Sequence, residues 1–473
     1  MPLKVAYVHS PELESLGNIG THPSGRSARV HRLIESLHLL TETSPDLTES
    51  ADELPLAKRV RALPASRSDL LRYHSQSFLD FLLDPQQEDA EDGSSSCDSE
   101  SDETVSSSSL QDYDSPPKKK ARTAQSAAAR FGLQDDCPAF PKLASYVEWI
   151  AGSTLTAASL LVTDKSPATD AGDTQGSGTT DSQAVDIAIN WEGGRHHALR
   201  DKCSGFCYVQ DVVLGIDLLR RSKLAVQVAD ESRCVSTRKP RIMYIDLDVH
   251  FGDAPAAAFK HPYRYSLPMT TSQKRQPKPT VMTVSVHHQS PGFFPSNSEA
   301  DLTLATTPTP CTVAIPLRRG ASINTYSRIW QKCIEPLRAA FEPDYVVLLL
   351  GMDALAGDKL VDGAANWSTQ GEGGVTWCIQ QTMKWGVKLL VLGGGGYHRA
   401  NTARGWAIVT STLLGRVIPE DVPAHDYWRE YSPSFQMHVQ PTGAKDENDA
   451  EYLARIEQEI RGVVERVQEI YSP

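Results

Sequence analysis

Nowhere in the 473 residues does an apolar run approach the roughly 18–20 residues that a membrane-spanning helix needs. That excludes a chain threaded through a bilayer by helices. The opening residues MPLKVAYVHS lack the apolar core and small-residue cleavage site of a secretory leader, and read instead as an alternating strand. A soluble intracellular protein is expected. Paired cysteines are missing too. The eight cysteines stand scattered at 97, 137, 203, 207, 234, 311, 333 and 378, with no CxxC. Reduced thiols are therefore expected, and Cys203 and Cys207 lack the second pair that a thiolate metal site requires. A basic face is also missing. The net charge is −12, and residues 85–115, with ten acidic residues and no Lys or Arg, account for most of it. Bulk electrostatic binding to nucleic acid is not expected.

What is present is an alternation of short apolar strands and amphipathic helices. Strands are expected at 3–8, 185–190, 241–246, 281–286, 345–350 and 388–392, and helices near 26–40, 142–162, 207–221, 323–341, 371–386, 399–413 and 448–470. The strands are β-branched or apolar with little alternation, as strands buried on both faces are. The pattern predicts a single α/β domain, a three-layer α/β/α sandwich around a mostly parallel sheet. Residues 1–84 and 131–435 would form this domain, and 436–473 a C-terminal helical extension packed on it. Residues 85–130 are too polar to offset the entropy of ordering and are expected to be a disordered insertion. Its basic end, Pro116–Arg122, fits either a nuclear localisation signal or a solvated charge run. Residues 164–184 form a second polar loop, and 228–240 and 264–280 smaller insertions.

Chemistry gathers where the strands end, which is where parallel sheets bind ligands. After 185–190 comes Trp191-Glu192-Gly193-Gly194-Arg195-His196-His197. After 241–245 come Asp246, Asp248, His250 and Asp253. The strand at 281–286 leads to Phe294, that at 345–350 to Asp353, and that at 388–392 to four glycines and Tyr397. Asp248 and His250 are two apart and point the same way from extended backbone. With Asp353 they make a three-donor N/O set with open positions. That set suits catalytic zinc, and accepts iron or cobalt as well. Each residue type has a plainer reading, as a loop cap, a packed histidine or a core aromatic; it is the convergence on one edge that argues against it. His196 and His197 could serve as general acid and base, with Asp246 and Asp253 as partners for their other ring nitrogens. Tyr397 could donate to a developing oxyanion. Phe206 and Phe294 could wall a narrow slot for an aliphatic stem.

This constellation resembles the arginase/deacetylase fold and, within it, the class I histone deacetylases. The resemblance is carried by residues 191–211, 244–253 (YIDLDVHFGD), 285–295, 350–358 (LGMDALAGD) and 392–404 (LGGGGYHRANTAR), with weaker matches over 3–85 and 130–435. The Ser290–Pro295 stretch is similar to the type-eight and fungal Hos-type branch. The resemblance implies zinc on Asp248, His250 and Asp353, acid–base work by His196 and His197, and polarisation of an acetyl carbonyl by Tyr397. It places Gly205, Phe206, Phe294 and Leu360 along an acetyl-lysine tunnel, Asp136 at its rim and Arg26 on an internal acetate path. Structural potassium would sit at Asp246, Asp248, His250, Ser285 and Val286, with a second site near Phe259. Implied partners are acetylated lysines of histone tails or of another nuclear protein, such as a cohesin subunit, and a corepressor complex. The implied setting is chromatin and transcriptional repression in the nucleus, with a cytoplasmic pool also compatible. An acetylpolyamine amidohydrolase, a binuclear arginase-like hydrolase and a weakly active scaffold are the competing readings. The chain departs from the family pattern at Phe251, Ala354, Ser296–Ser298 and His398, none of which is a ligand or acid–base group.

Overall fold

The structure, a computed structural model, describes residues 3–20, 23–41, 55–84, 128–162, 184–222, 224–227, 235–260, 278–361 and 363–471. The expected insertions at 85–130 and 164–184 and the smaller one at 264–280 fall almost wholly outside these residues, as does the basic cluster 116–122. Among the described residues one eight-stranded sheet forms the centre, in the order β2-β1-β3-β10-β9-β6-β7-β8. The strands are β1 (Val5–Val8), β2 (Lys58–Val60), β3 (Ile187–Asn190), β6 (Ile242–Asp246), β7 (Val281–His288), β8 (Thr312–Leu317), β9 (Tyr345–Leu349) and β10 (Lys388–Leu392). All neighbours in it are parallel. A separate antiparallel pair joins β4 (Leu224–Gln227) to β5 (Val235–Arg238).

Side chains alternate across the sheet, so each face makes its own core. Ile187, Ile189, Met243, Ile245, Val346, Leu348, Leu389 and Val391 face one cluster. Helices Arg26–Ser36, Val375–Lys384, Arg399–Leu413 and Ala450–Tyr471 supply buried partners to it. Ala188, Ile242, Tyr244, Val347, Leu349, Leu390 and Leu392 face the other, covered by Leu143–Leu161 and Asp211–Arg221. Because both faces are covered, the strands read as apolar runs. Among the described residues no helix is long and apolar enough to cross a membrane.

Three departures from the expected elements have physical causes. β2 is three residues, two of them basic, and β8 contains Pro316, tolerable because β8 lies at the sheet's edge. Neither reads as a buried strand. The helix expected over 323–341 is interrupted. Ile323–Ile329 runs into a widened π turn at Trp330–Ile334 before Glu335–Phe341 resumes, and Pro336 has no N–H to give the preceding turn. The small insertion expected at 228–240 contains strand β5, which pairs with β4 outside the main sheet.

Register decides where the chemistry meets. Asn190, Leu392, Leu349, Asp246 and Ser285 lie side by side in one row across β3, β10, β9, β6 and β7. Four neighbouring strands, β3, β10, β9 and β6, thus stop at one level, β7 runs three residues further to His288, and the residues that follow them share one small volume.

Candidate active site

Immediately beyond that row, Asp248, His250 and Asp353 each offer a ligand atom, and these atoms lie within 4.8 Å of one another. Both carboxylates are fully buried and His250 is 9% exposed. Nδ1 of His250 stands 3.0 Å from Asp248 Oδ1 and 3.0 Å from Asp353 Oδ2. Burial works against a charged imidazole, but the two carboxylates override it and raise the pKa of His250 to about 10. Burial and the charge of Asp248 push the Asp353 carboxyl upward in turn. Two buried carboxylates competing for one proton are a donor set built for a cation, which satisfies both without a shared proton. The residues therefore fit a metal of the hard-to-borderline class.

The backbone around the set is tightly drawn. Gly395 donates its N–H to Asp248 Oδ2 at 2.7 Å, Val249 donates to Asp353 Oδ1 at 3.1 Å, and Met352 donates to the Gly395 carbonyl at 3.0 Å. A Cβ added at Gly395 would overlap Asp353 Oδ2. We expect Gly395→Ala to bind less than about a tenth of the wild-type metal, as read by elemental analysis after dialysis, since ligand positions tolerate only small errors. Stoichiometric metal in that variant would show that the glycine is dispensable.

His196 and His197 sit beside the set, their rings 4.0 Å apart. Nδ1 of His196 meets Asp246 Oδ2 at 2.8 Å, and Nδ1 of His197 meets Asp253 Oδ1 at 2.9 Å. The environments drive the two apart. Burial opposes charge on His196, but Asp246 and Asp248 outweigh it and raise the pKa to about 9. Burial, reinforced by His196, lowers that of His197.

Tyr397 presents its ring edge-on to His250, centroids 6.2 Å apart, and lies 6.0 Å from Phe206. Phe294 lies 4.8 Å from His197 and is 38% exposed, and Phe293 stacks on His250 at 5.2 Å. Gly205 (φ +56) passes so close that a Cβ would press into His197 and come within 2.9 Å of Phe294. Asp136 Oδ2 accepts the Gly205 N–H at 2.8 Å. Leu360 is 51% exposed. Arg26 is buried and donates to the carbonyls of Gly394 and Gly396 at 3.0 and 3.2 Å, so it grips the glycine run rather than standing among the donors. Ser285 lies beside Asp246 in the sheet, but its hydroxyl is engaged with His287 at 3.0 Å. The Val286 side chain is in the core, which leaves its backbone for any cation there.

Positions outside the family pattern have local explanations. Phe251 packs against His287 at 4.8 Å in a small apolar cluster with Ala256, Ala300 and Ala314. His398 caps helix Arg399–Leu413, its Nδ1 accepting the Asn401 N–H at 3.2 Å. Asn297 caps the short turn Ser298–Ala300, and Ala354 is core. Cys203 and Cys207 are buried free thiols. Two carboxylates that sequence reasoning passed over shape the site. Asp211 is fully buried and accepts the N–H groups of Gly194 at 2.8 Å and Arg195 at 2.7 Å and the Thr154 hydroxyl at 2.5 Å, which fixes the turn leading to His196. Asp358 does the equivalent for Tyr397. Each is the last residue of a stretch that carries the resemblance, 191–211 and 350–358, the only sequence signal they carry.

A buried carboxylate–imidazole–carboxylate set with two carboxylate-paired histidines, at the C-terminal edge of a parallel α/β sheet, defines a metal-dependent hydrolase. The comparison with known proteins narrows the class. The histone deacetylase domain matches residues 23–413. The chain is 31% identical to histone deacetylase 8 of Xenopus tropicalis over 463 residues, covering 98% of each protein. It is 30% identical to histone deacetylase 8 of Danio rerio over 464 residues, 98% of this chain and 96% of that one. For Xenopus laevis histone deacetylase 8 the identity is 33% over 338 residues, 71% and 86% of the two. The chain belongs to the histone deacetylase family, and its fold is the arginase/deacetylase α/β fold. It is a hydrolytic deacetylase.

Proposed function

We propose that this protein is a zinc-dependent lysine deacetylase acting on histone tails or on another nuclear protein. The observation that carries the reading is the buried Asp248–His250–Asp353 set flanked by two histidines whose pKa values diverge. Asp248, His250 and Asp353 would hold the metal; zinc bound there polarises an acetyl carbonyl and acidifies water. His197, with its lowered pKa, takes a proton from the attacking water. His196, held cationic by Asp246, gives one to the departing lysine nitrogen and anchors the charge during the reaction. Tyr397 donates to the oxygen that gains negative charge. Phe206 and Phe294 flank the lysine stem, Leu360 borders the slot's mouth, and Asp136 holds the Gly205 turn and meets the substrate backbone at the rim. Arg26 would serve acetate departure from beneath the glycine run. Potassium at Asp246, Asp248, His250, Ser285 and Val286 would be structural. Nuclear residence, chromatin repression and a corepressor complex belong to the same reading.

Zinc-loaded protein assayed on an acetyl-lysine peptide tests it, beside acetylspermidine. Peptide turnover with about one zinc per chain supports the assignment. Turnover of the polyamine alone moves the activity to small molecules, and zinc without turnover of either leaves a scaffold. The pH profile gives a second check. As pH rises, kcat/KM should climb through a pKa below 6.5 as His197 loses its proton. It should fall no higher than about 9 as His196 loses its own. A flat profile from pH 5.5 to 9.5 would take both histidines out of proton transfer.

A further inference from the structure

The glycine run before Tyr397 gives that residue little support from its own chain. Gly394 and Gly396 take φ values of 134° and 137°, a region that other residues rarely reach, so contacts from outside the run set its path. Tyr397 therefore has to be placed from outside. Arg26 grips the run on one side through the Gly394 and Gly396 carbonyls. On the other side stands Asp358, from the loop that follows Asp353.

Asp358 is 4% exposed. Its Oδ2 accepts the backbone N–H of Tyr397 at 2.7 Å and that of His398 at 3.0 Å. Its Oδ1 accepts the N–H of Leu360 at 3.1 Å. The loop that carries it is docked independently, with Asn401 donating its side-chain amide to the Ala356 carbonyl at 3.2 Å. Tyr397 and His398 immediately precede helix Arg399–Leu413, where orphan N–H groups and the helix dipole favour a carboxylate. One buried oxygen thus pins the main chain at Tyr397 to a fixed point, and its partner oxygen pins the chain at Leu360.

We propose that Asp358 is a positioning residue for Tyr397: it fixes the tyrosine's backbone so that the hydroxyl meets the reacting oxygen, and ties the Leu360 wall of the slot to the same anchor. The inference rests on the proposed role of Tyr397. It separates Asp358 from a carboxylate that merely stabilises a loop, because its effect must travel through one hydroxyl.

The test is a double-mutant cycle on metal-loaded protein with metal content and melting temperature measured throughout. Asp358→Ala should lower kcat by roughly 10–100-fold, the scale of a misplaced catalytic group, with KM changed less than about threefold. Asp358→Asn keeps an acceptor for the Tyr397 and His398 N–H groups and should recover most of the loss. In a Tyr397→Phe background, Asp358→Ala should cost less than about threefold, since no hydroxyl remains to misplace. Equal losses in both backgrounds overturn the proposal, as does an Asn variant no better than Ala. If Ala unfolds, Asp358→Ser takes its place. Loss of folding or metal in Ala, Ser and Asn alike also overturns it, leaving a purely structural role. Full activity in Tyr397→Phe alone sinks the functional reading instead, and is visible before the cycle is closed.

Discussion

Replacing Tyr397 by Phe should lower kcat by roughly 10²–10³-fold, the cost of deleting one oxyanion donor, with bound metal and KM little changed. The substitution removes one oxygen and keeps the ring, so the edge-on contacts with Phe206 and His250 persist. The hydroxyl suits the task because it stays protonated. Burial, then the charges of Asp353 and Asp248, hold its pKa well above the ordinary tyrosine value. In the proposed role it would donate across the working pH range without becoming an anion beside the acyl group. Steady-state kinetics on an acetyl-lysine peptide, with metal quantified in the same samples, decide the matter. Wild-type kcat in the variant would remove Tyr397 from the chemistry.

Replacing Asp248 by Ala should remove both metal and activity. The loss should exceed the roughly 10–100-fold expected for an outer partner of a ligand, because in the proposed site Asp248 would be a ligand itself, and it also accepts the Gly395 N–H. A less obvious consequence concerns stability. Asp248 and Asp353 are buried carboxylates at close quarters, and each is costly unless neutralised. In the wild type, zinc at 1,000 times its Kd should stabilise the fold by about 4 kcal/mol, and chelation should lower the melting temperature accordingly. In Asp248→Ala the Gly395 N–H and His250 lose their buried carboxylate partner. The chelated variant should melt below the chelated wild type, and added zinc should barely move it. Scanning calorimetry with and without chelator reads both effects. A variant that still gains stability from zinc would place the metal elsewhere.

Much of this architecture was legible before any coordinates. The six central strands and most long helices announce themselves because buried parallel strands are apolar throughout and their covering helices are amphipathic. The donor set was legible because polar residues at strand ends are rare without a reason. β2 and β8 were not, since edge strands have no apolar signature and β8 carries a proline. The break at 330–334 was hidden because hydrophobic spacing continues through a π turn. Asp211 and Asp358 were hidden for a different reason: they act on backbone N–H groups far off in sequence or across a loop, and backbone donors leave no trace in side-chain patterns. Arg26 was expected on an acetate path, and the structure adds a grip on the glycine run that no spacing rule suggests.

The level at which four neighbouring strands stop has a practical side. In a parallel sheet every strand-to-helix connection emerges at the edge where the chemistry lies, and every helix-to-strand connection at the opposite edge. The starts of β3 and β7 stand at that far edge, and there the Val185 N–H meets the Leu160 carbonyl at the end of helix Leu143–Leu161 at 3.0 Å. An affinity tag or a fluorescent reporter joined to the chain just after Val162 or just before β7 would therefore enter behind the enzyme, leaving the substrate's approach open. The same splice after β3 or β9 would land on His196 or Asp353. The sheet divides the molecule into a side that can be labelled and a side that must be left alone.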